Sequence, residues 1–222
     1  MTVVYEDNHI IIVNKTASEI VQGDKTGDTP LSETVKQYLK EKYNKPGNVF
    51  IGVTHRLDRP VSGLGVFAKT SKALSRLNDM FRNGEVEKTY WAVVKNTPPA
   101  EEGTLVHYMV KNEKQNKSYA YDKEVKGSKK AVLDYRLIGH SQNYFLLEVN
   151  LHTGRHHQIR CQLSKMGCPI KGDLKYGFTR SNPDGSICLH SRRVKFVHPV
   201  SKEIIDVTAE LPSGNLWNGF GI

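Results

Sequence analysis

The pattern of apolar and polar positions is mixed: some short segments are typical of β-strands, and others show the period of a helix. Apolar residues from Leu31 to Tyr43 and from Leu74 to Phe81 recur every three or four positions, which predicts two amphipathic helices. Short apolar or alternating runs between turn residues predict β-strands. We expect these strands at residues 3–5, 10–14, 64–68, 88–95, 131–138, 144–150, 187–191, 194–197 and 204–207.

Candidate capping residues indicate where the helices begin and end. Thr29 can cap the first helix, and Pro30 suits its first position because proline lacks the N–H that a helix start leaves unsatisfied. A third helix is expected to begin at Thr153 or Gly154 and to end at Gly167.

Strand pairs joined by short turns are typical of a mainly antiparallel sheet and not of alternating βαβ units. The sequence therefore predicts an α+β fold in which residues 1–222 form a single domain without internal repeats. Residues 96–130 show no regular pattern and include two lysine-rich stretches. Two interpretations stay open for them: solvated loops or edge strands, or flexible basic loops that reach the phosphates of a partner.

The charge balance favours a polyanionic partner. The 222 residues include 32 lysines and arginines against 23 acidic residues, a formal net charge of +9 at pH 7. This excess suits phosphate contacts with nucleic acid, although a generic basic protein would show the same balance. No apolar run is long enough to span a membrane, and the N-terminus lacks the pattern of a signal peptide, which predicts a cytoplasmic protein.

The spacing of cysteine and histidine indicates no metal site. Cys161, Cys168 and Cys188 match no common zinc pattern, and Cys161 falls on the apolar side of the third predicted helix. His152 and His156 are four positions apart, but no cysteine or carboxylate close in sequence completes a set of ligands. We therefore expect no metal.

One carboxylate, Asp58, stands among basic side chains immediately before a predicted buried strand. The stretch reads His55-Arg56-Leu57-Asp58-Arg59-Pro60-Val61-Ser62-Gly63. A carboxylate at such a loop–strand junction is held rigidly and can face a cleft. The alternative is a surface ion pair with a neighbouring arginine, which is common and weak. A second segment further along the chain favours the first interpretation.

That second segment reads Leu151-His152-Thr153-Gly154-Arg155-His156-His157-Gln158-Ile159-Arg160, followed by Gly167-Cys168-Pro169-Ile170-Lys171-Gly172-Asp173. With the first stretch it resembles the RluA class of RNA pseudouridine synthases, whose motifs are H-R-L-D-x-x-[TS]-S-G, T-G-R-x-H-Q-I-R and G-x-P-I-x-G-D. Residues 87–94 are similar to the K-x-Y-x-A strand of this class, and residues 8–15 to its first hairpin. The pieces occur in the family's order.

The resemblance implies a pseudouridine synthase fold: a curved, mixed but mainly antiparallel sheet with flanking helices, in two lobes around a central cleft. Many members carry an RNA-binding S4 domain, which is not expected here because the catalytic pattern begins within the first ten residues. The implied activity isomerises specific uridines to pseudouridine in 23S ribosomal RNA, or alternatively in transfer RNA, after base flipping. The reaction consumes no redox equivalent or group donor, so no cofactor is expected. The implied enzyme acts on RNA as a monomer.

The resemblance also assigns three catalytic residues. Asp58 becomes the essential carboxylate, and the sequence leaves open whether it attacks ribose, attacks the base or assists a glycal route. Tyr90 becomes the ring that stacks on uracil, with a hydroxyl placed for a proton relay. Arg160 becomes the cation that pairs with Asp58 and keeps it ionised, a role that suits a planar and permanently charged group.

Four further residues are assigned to substrate binding. Ile159 matches an apolar position that packs against the base. Arg56 lies two residues before Asp58 and on an extended segment faces the same way, so it can enter the space left by the flipped base or hold a phosphate. His55 and Arg155 are candidates for contacts with the RNA backbone.

Two other classes of function compete with this assignment. An RNA-binding protein on the same fold that has lost catalysis would not need Asp58, Tyr90 and Arg160 together. A glycoside hydrolase-like enzyme would need a second carboxylate, which these motifs do not supply. Two departures from the family pattern, Thr16-Ala17 after Asn14-Lys15 and Val61 in place of threonine, bear on the first loop and the choice of RNA.

Overall fold

The chain forms two compact units in the computed structural model, which describes residues 1–222 apart from the side chain of Asn215. Unit 1 contains Met1–Val86 and Arg192–Glu210, and unit 2 contains Glu87–Ser191 and Leu211–Ile222. The strands, in chain order, are β1 (Thr2–Glu6), β2 (Ile10–Lys15), β3 (Gly52–Val53), β4 (Ser62–Ala68), β5 (Glu87–Val94), β6 (Glu102–Asn112), β7 (Lys117–Tyr121), β8 (Lys129–His140), β9 (Phe145–Leu151), β10 (Leu189–Val197) and β11 (Ile204–Thr208). The helices are α1 (Leu31–Lys42), α2 (Ser71–Arg82), α3 (Gln158–Lys165) and the short α4 (Asn215–Asn218), with a 3₁₀ turn at Leu174–Tyr176.

Unit 1 is built on antiparallel strands and two helices. Strand β2 pairs with β1 on one side and β4 on the other, and β10 pairs with β11. Every residue of β4 is buried, because α2 covers it. Leu77 of α2 is fully buried in one core cluster with Leu64 and Val66, and burial of one such leucine stabilises the fold by about 1.5–3 kcal/mol. Thr70 caps α2 by accepting a hydrogen bond from the Ala73 N–H at 3.1 Å.

Unit 2 is an antiparallel sheet in the order β5-β9-β8-β6-β7. Helix α3 packs on one face of this sheet, which we call the inner face. Met109 of β6, Ala131 of β8 and Cys161 of α3 share a buried cluster there. The register places Tyr90 opposite Val149 and Val149 opposite Tyr135, so Tyr90 belongs to the inner face as well.

Most predicted elements are confirmed. The first hairpin, the buried strand before residue 69, and the strands at 88–95, 131–138 and 144–150 all form, with ends shifted by one or two residues. Both amphipathic helices form, and the three cysteines are free and buried. None of the helices in the described part of the chain is long and apolar enough to cross a membrane.

Four local predictions need correction. Pro30 is the N-cap of α1 in an extended conformation, and α1 has no side-chain cap, so Thr29 does not serve as one. Helix α3 begins at Gln158 and not at Thr153 or Gly154, because His157 adopts a left-handed conformation with φ 53° that no helix continues through. The strands expected at 187–191 and 194–197 are one continuous strand, β10. Residues 102–112, left open between loops and edge strands, form the long strand β6, which pairs with a strand on each side and is therefore not an edge strand.

Candidate active site

Asp58 lies half-buried on the loop that joins β3 to β4 in unit 1. Buried Leu57 and Val61 hold the loop on either side of it, and a turn closes with the Val61 N–H donating to the Asp58 carbonyl at 3.0 Å. Thr54 Oγ1 donates to the carbonyl of Val66 in β4 at 2.6 Å. The loop is therefore fixed to the strand that follows it, which gives the carboxylate a defined position.

Lys15, at the end of β2, is buried beside the same loop and forms a hydrogen bond to it. Its side chain is 1% exposed, and Nζ donates to the carbonyls of Thr16 at 3.0 Å, Glu19 at 2.7 Å and Arg59 at 3.1 Å. Burial lowers the pKa of the Lys15 ammonium to about 8, while the negative charges of Glu19 and Asp58 act in the opposite direction. A cation thus lies under the Asp58 loop, and sequence reasoning named it only as part of a hairpin.

The other basic residues of this loop have separate surroundings. Arg59 points away to the surface, where it pairs with Asp28 at 2.6 Å and Asp24 at 3.1 Å. His55 stacks on Phe81 at 4.8 Å and accepts a hydrogen bond from the Val66 N–H at 3.0 Å, so it helps to hold the loop. Arg56 is exposed, as a residue that contacts RNA would be.

In unit 2, Tyr90, Ile159 and Arg160 are brought to one side of the sheet. Tyr90 on β5 is 7% exposed on the inner face, and Ile159 and Arg160 are buried in the first turn of α3, which packs on that face. Lys88 lies two residues before Tyr90 on the same face, and burial lowers its pKa. Arg155 is exposed before α3, where its Nε donates to the Lys130 carbonyl at 2.9 Å.

Arg160 forms a bidentate ion pair with Asp173. Arg160 Nε donates to one carboxylate oxygen at 2.7 Å and Nη2 to the other at 2.9 Å, and Asp173 is 1% exposed. The guanidinium also lies 5.1 Å from the ring centre of Tyr176. Sequence analysis gave Asp173 no role. Its place at the end of the G-x-P-I-x-G-D motif, directly after Gly172, is the signal that could have identified it. A guanidinium has five N–H donors, so this pair is compatible with a second carboxylate on the same arginine.

A small polar network fixes the residues just before α3. The Tyr176 hydroxyl accepts a hydrogen bond from the Ser118 N–H at 2.9 Å and shares another with His157 Nδ1 at 2.8 Å. Burial and the nearby charge of Arg160 lower the pKa of His157 to about 2, so this imidazole is neutral at physiological pH. Burial raises the pKa of the Tyr176 hydroxyl. The network holds the strained turn from which Arg160 projects.

The histidines before α3 have partners other than a metal. His152 contacts Asp134 at 2.5 Å, a carboxylate that sequence spacing did not reveal, and His156 contacts Ser118 at 2.8 Å and Asn116 at 3.1 Å. Within the described residues, no three histidine, cysteine or acidic side chains are grouped as a metal site would require.

Comparisons with known proteins agree on one family. The sequence model described as RNA pseudouridylate synthase matches residues 9–165. The tRNA pseudouridine synthase C of Vibrio cholerae is 31% identical over 99% of this chain and 93% of that protein. The ribosomal large subunit pseudouridine synthase D of Zymomonas mobilis is 30% identical over 96% of this chain and 69% of that protein.

The fold gives the same result. A solved structure of human RNA pseudouridylate synthase domain containing 4 matches with a TM-score of 0.78 at 21% identity, over 95% of this chain and 88% of that one. Several relatives are longer, and the chain spans 66% of one from Synechocystis. The matched region contains the Asp58 loop, Tyr90 and the Arg160 turn. The chain therefore belongs to the RNA pseudouridylate synthase family.

Proposed function

We propose that this member of the family isomerises one or a few uridines of large-subunit 23S ribosomal RNA, with Asp58 as its catalytic carboxylate. Family membership makes the chain an isomerase of uridine in RNA. The observation that carries the proposal is the Asp58 loop, in which a half-buried carboxylate is fixed by neighbouring strands and lies above the buried Lys15 cation. Transfer RNA is the alternative substrate.

The remaining residues supply what this reaction needs. The bond between ribose and uracil N1 breaks, the base turns and ribose bonds to C5. The C5 hydrogen leaves as a proton and N1 takes up a proton, so the atoms balance without a co-reactant. The uridine must leave its helix or loop to reach a carboxylate, which requires base flipping. In the proposal Tyr90 stacks on the flipped uracil, Ile159 packs against it, and Arg160 keeps Asp58 ionised.

Three residues outside the catalytic set are proposed to contact RNA and not to take part in the chemistry. Arg56 enters the space left by the base or holds a phosphate, and Arg155 and His55 lie at the ends of the two loops where backbone contacts are expected. The excess of nine positive charges supports binding through phosphates. We further propose that the enzyme acts as a monomer in the cytoplasm. It needs no cofactor, because the isomerisation is redox-neutral and intramolecular.

Isomerisation releases the hydrogen at C5, so tritium release from transcripts made with [5-³H]uridine measures it directly. We expect release from wild-type protein with 23S transcripts, and a loss on the order of 10³-fold or more in Asp58→Asn with RNA affinity retained. Asp28→Asn is the matched control, because it removes a surface carboxylate beside the same loop. An active Asp58→Asn protein would contradict the assigned role, and release from transfer RNA alone would replace the proposed substrate.

A further inference from the structure

The outer face of the unit 2 sheet carries aromatic side chains on neighbouring strands, and the two on β7 are exposed. Tyr119 and Tyr121 of β7 are 39% and 42% exposed. Tyr121 stands opposite Tyr108 of β6, and Tyr119 stands opposite Val110. Lys117 is two residues before Tyr119 and therefore points the same way. We call the set Tyr108, Val110, Lys117, Tyr119 and Tyr121 the tyrosine face.

The tyrosines of this face lie on the side of the sheet opposite Tyr90, while the Lys117 ammonium also lies 5.4 Å from the ring centre of Tyr176. Residues between its members, such as Met109 and Ser118, are buried on the inner face against α3. Tyr90 belongs to that inner face, so the sheet itself lies between Tyr90 and the tyrosine face. The face has no role in the mechanism. A group of neighbouring exposed aromatic side chains is typical of an interaction surface.

The rings are held in place and leave room for a ligand. The Tyr119 hydroxyl donates to Gln115 Oε1 at 2.5 Å, and the Lys117 ammonium lies 5.4 Å from the Tyr119 ring centre. Lys175 donates to the Asn116 carbonyl at 2.9 Å and ties down the turn between β6 and β7. An open hollow of about 550 Å³ lies over this hairpin, lined by Val110, Lys111, Asn112, Glu113, Lys114, Gln115, Tyr119 and Tyr121.

The charge around the face selects the partner. Residues 108–130 contain seven lysines against three acidic residues. Glu113 is paired with Lys111 at 2.7 Å, and Asp122 lies 3.5 Å from Lys165, so two of the acids are neutralised locally. Lys130 stands opposite Tyr108 on β8. Aromatic side chains with lysines nearby fit a single-stranded nucleic acid, whose bases stack on the aromatic side chains while its phosphates contact the cations.

We propose that the tyrosine face binds a single-stranded segment of the RNA substrate, apart from the uridine that reacts. This inference rests on the proposed function, since it extends the RNA site of the same enzyme. Two tyrosines on β7 stack on successive bases, and the lysines of the β6–β7 hairpin contact the phosphates. Strand β7 is the edge strand of the unit 2 sheet, and an edge strand can pair with another chain. A second copy of this chain is therefore the competing occupant.

Binding of an oligoadenylate of about 12 nucleotides tests the face without involving a uridine site. We measure its affinity by fluorescence anisotropy with a fluorescein label. The double variant Tyr119→Ala/Tyr121→Ala is expected to weaken binding about 5-fold or more, because a stacked base is lost at each ring. Tyr119→Phe/Tyr121→Phe keeps both rings and is expected to bind within about twofold of wild type. Val197→Ala/Ile204→Ala is the matched control, a cross-strand pair of exposed apolar side chains in unit 1.

Two outcomes would overturn the proposal: wild-type affinity in the alanine variant, or equal losses in the Val197/Ile204 control. If affinity is unchanged and light scattering shows that the alanine variant breaks a dimer, a second copy of the chain is the occupant of the face. Tritium release from 23S transcripts keeps the two proposals apart. With an active enzyme, the alanine variant should raise KM about 5-fold and leave kcat unchanged. If wild type releases no tritium, the proposed function fails, and the oligoadenylate measurement still decides whether the tyrosine face binds RNA.

Discussion

Arg160 and Asp173 form a bidentate ion pair in which both side chains are almost completely buried, with N···O distances of 2.7 and 2.9 Å. The family resemblance predicts that Arg160 pairs with Asp58. The structure adds a second carboxylate that fixes the plane of the guanidinium from within unit 2. Asp173 is therefore a positioning residue for Arg160, and its own position depends on the turn that carries it.

Replacing Asp173 with asparagine should destabilise the protein by about 3–5 kcal/mol, because it leaves the Arg160 charge buried without its ion-pair partner. Turnover should fall while KM for RNA changes little, since Arg160 loses its orientation and the exposed arginines proposed to contact RNA are unchanged. Urea unfolding and tritium release measure the two effects. The exposed pair of Arg193 with Asp206 supplies the control: Asp206→Asn should cost less than about 1 kcal/mol and leave turnover intact. Equal effects of the two changes would contradict the role of Asp173.

The buried Lys15 should make stability increase with pH in the alkaline range. Its pKa is about 8 in the folded protein and near 10.5 in the unfolded chain, so between these values the unfolded chain binds more protons. The penalty for burying the charged form is fully present below pH 8 and disappears as pH rises towards 10.5. Between pH 7 and pH 10, wild type should gain about 2–3 kcal/mol relative to Lys15→Met. Urea unfolding of both proteins across this range tests the difference, and a constant difference would mean that Lys15 stays charged throughout.

His157 should make stability fall with decreasing pH in the acid range, for the same reason: folding lowers its pKa. Its folded pKa of about 2 lies below the usual 6.5, so the unfolded chain takes up a proton first as pH falls. Stability from this group is fully present above pH 6.5 and decreases by about 1.4 kcal/mol per pH unit below it. His157→Asn removes the titrating group, and asparagine tolerates the left-handed conformation with φ 53°. The free energy of unfolding at pH 5 to 8 should fall less steeply in this variant than in wild type.

Sequence reasoning predicted elements where the local pattern and the tertiary packing agree. The buried strand β4 and helix α2 follow from their own apolar residues, and the catalytic motif around Asp58 is local as well. The bounds of strand β6 were not predicted because its outer face is largely exposed, and its short apolar stretch, residues 105–110, is interrupted by His107 and bordered by polar residues. The start of α3 was misplaced because its boundary depends on the backbone of His157, which no capping residue indicates.

Partners that are distant in sequence could not be predicted from spacing. Lys15 and Arg59 are 44 residues apart, yet the ammonium of one donates to the carbonyl of the other. The hydrogen bond between the Ser118 N–H and the Tyr176 hydroxyl joins residues 58 positions apart. Such contacts arise from strand pairing and helix packing, so the motifs named the catalytic candidates while the groups that support them needed the fold.

The glycine before Asp173 should be the most sensitive glycine of the second motif. Gly172 has φ +89°, and a Cβ there would lie 2.7 Å from the Ser186 carbonyl oxygen and 2.8 Å from Asn182 Nδ2. Gly172→Ala therefore adds a clash with backbone to the strain of a left-handed residue, which places the loss of stability above the roughly 1–2 kcal/mol expected from conformation alone. Gly177→Ala is the control, because Gly177 has φ +101° and nothing within 4 Å of the added atom. In thermal unfolding, the Tm of Gly172→Ala should be well below that of Gly177→Ala. Turnover should fall in Gly172→Ala alone, because Asp173 can no longer hold Arg160 in place.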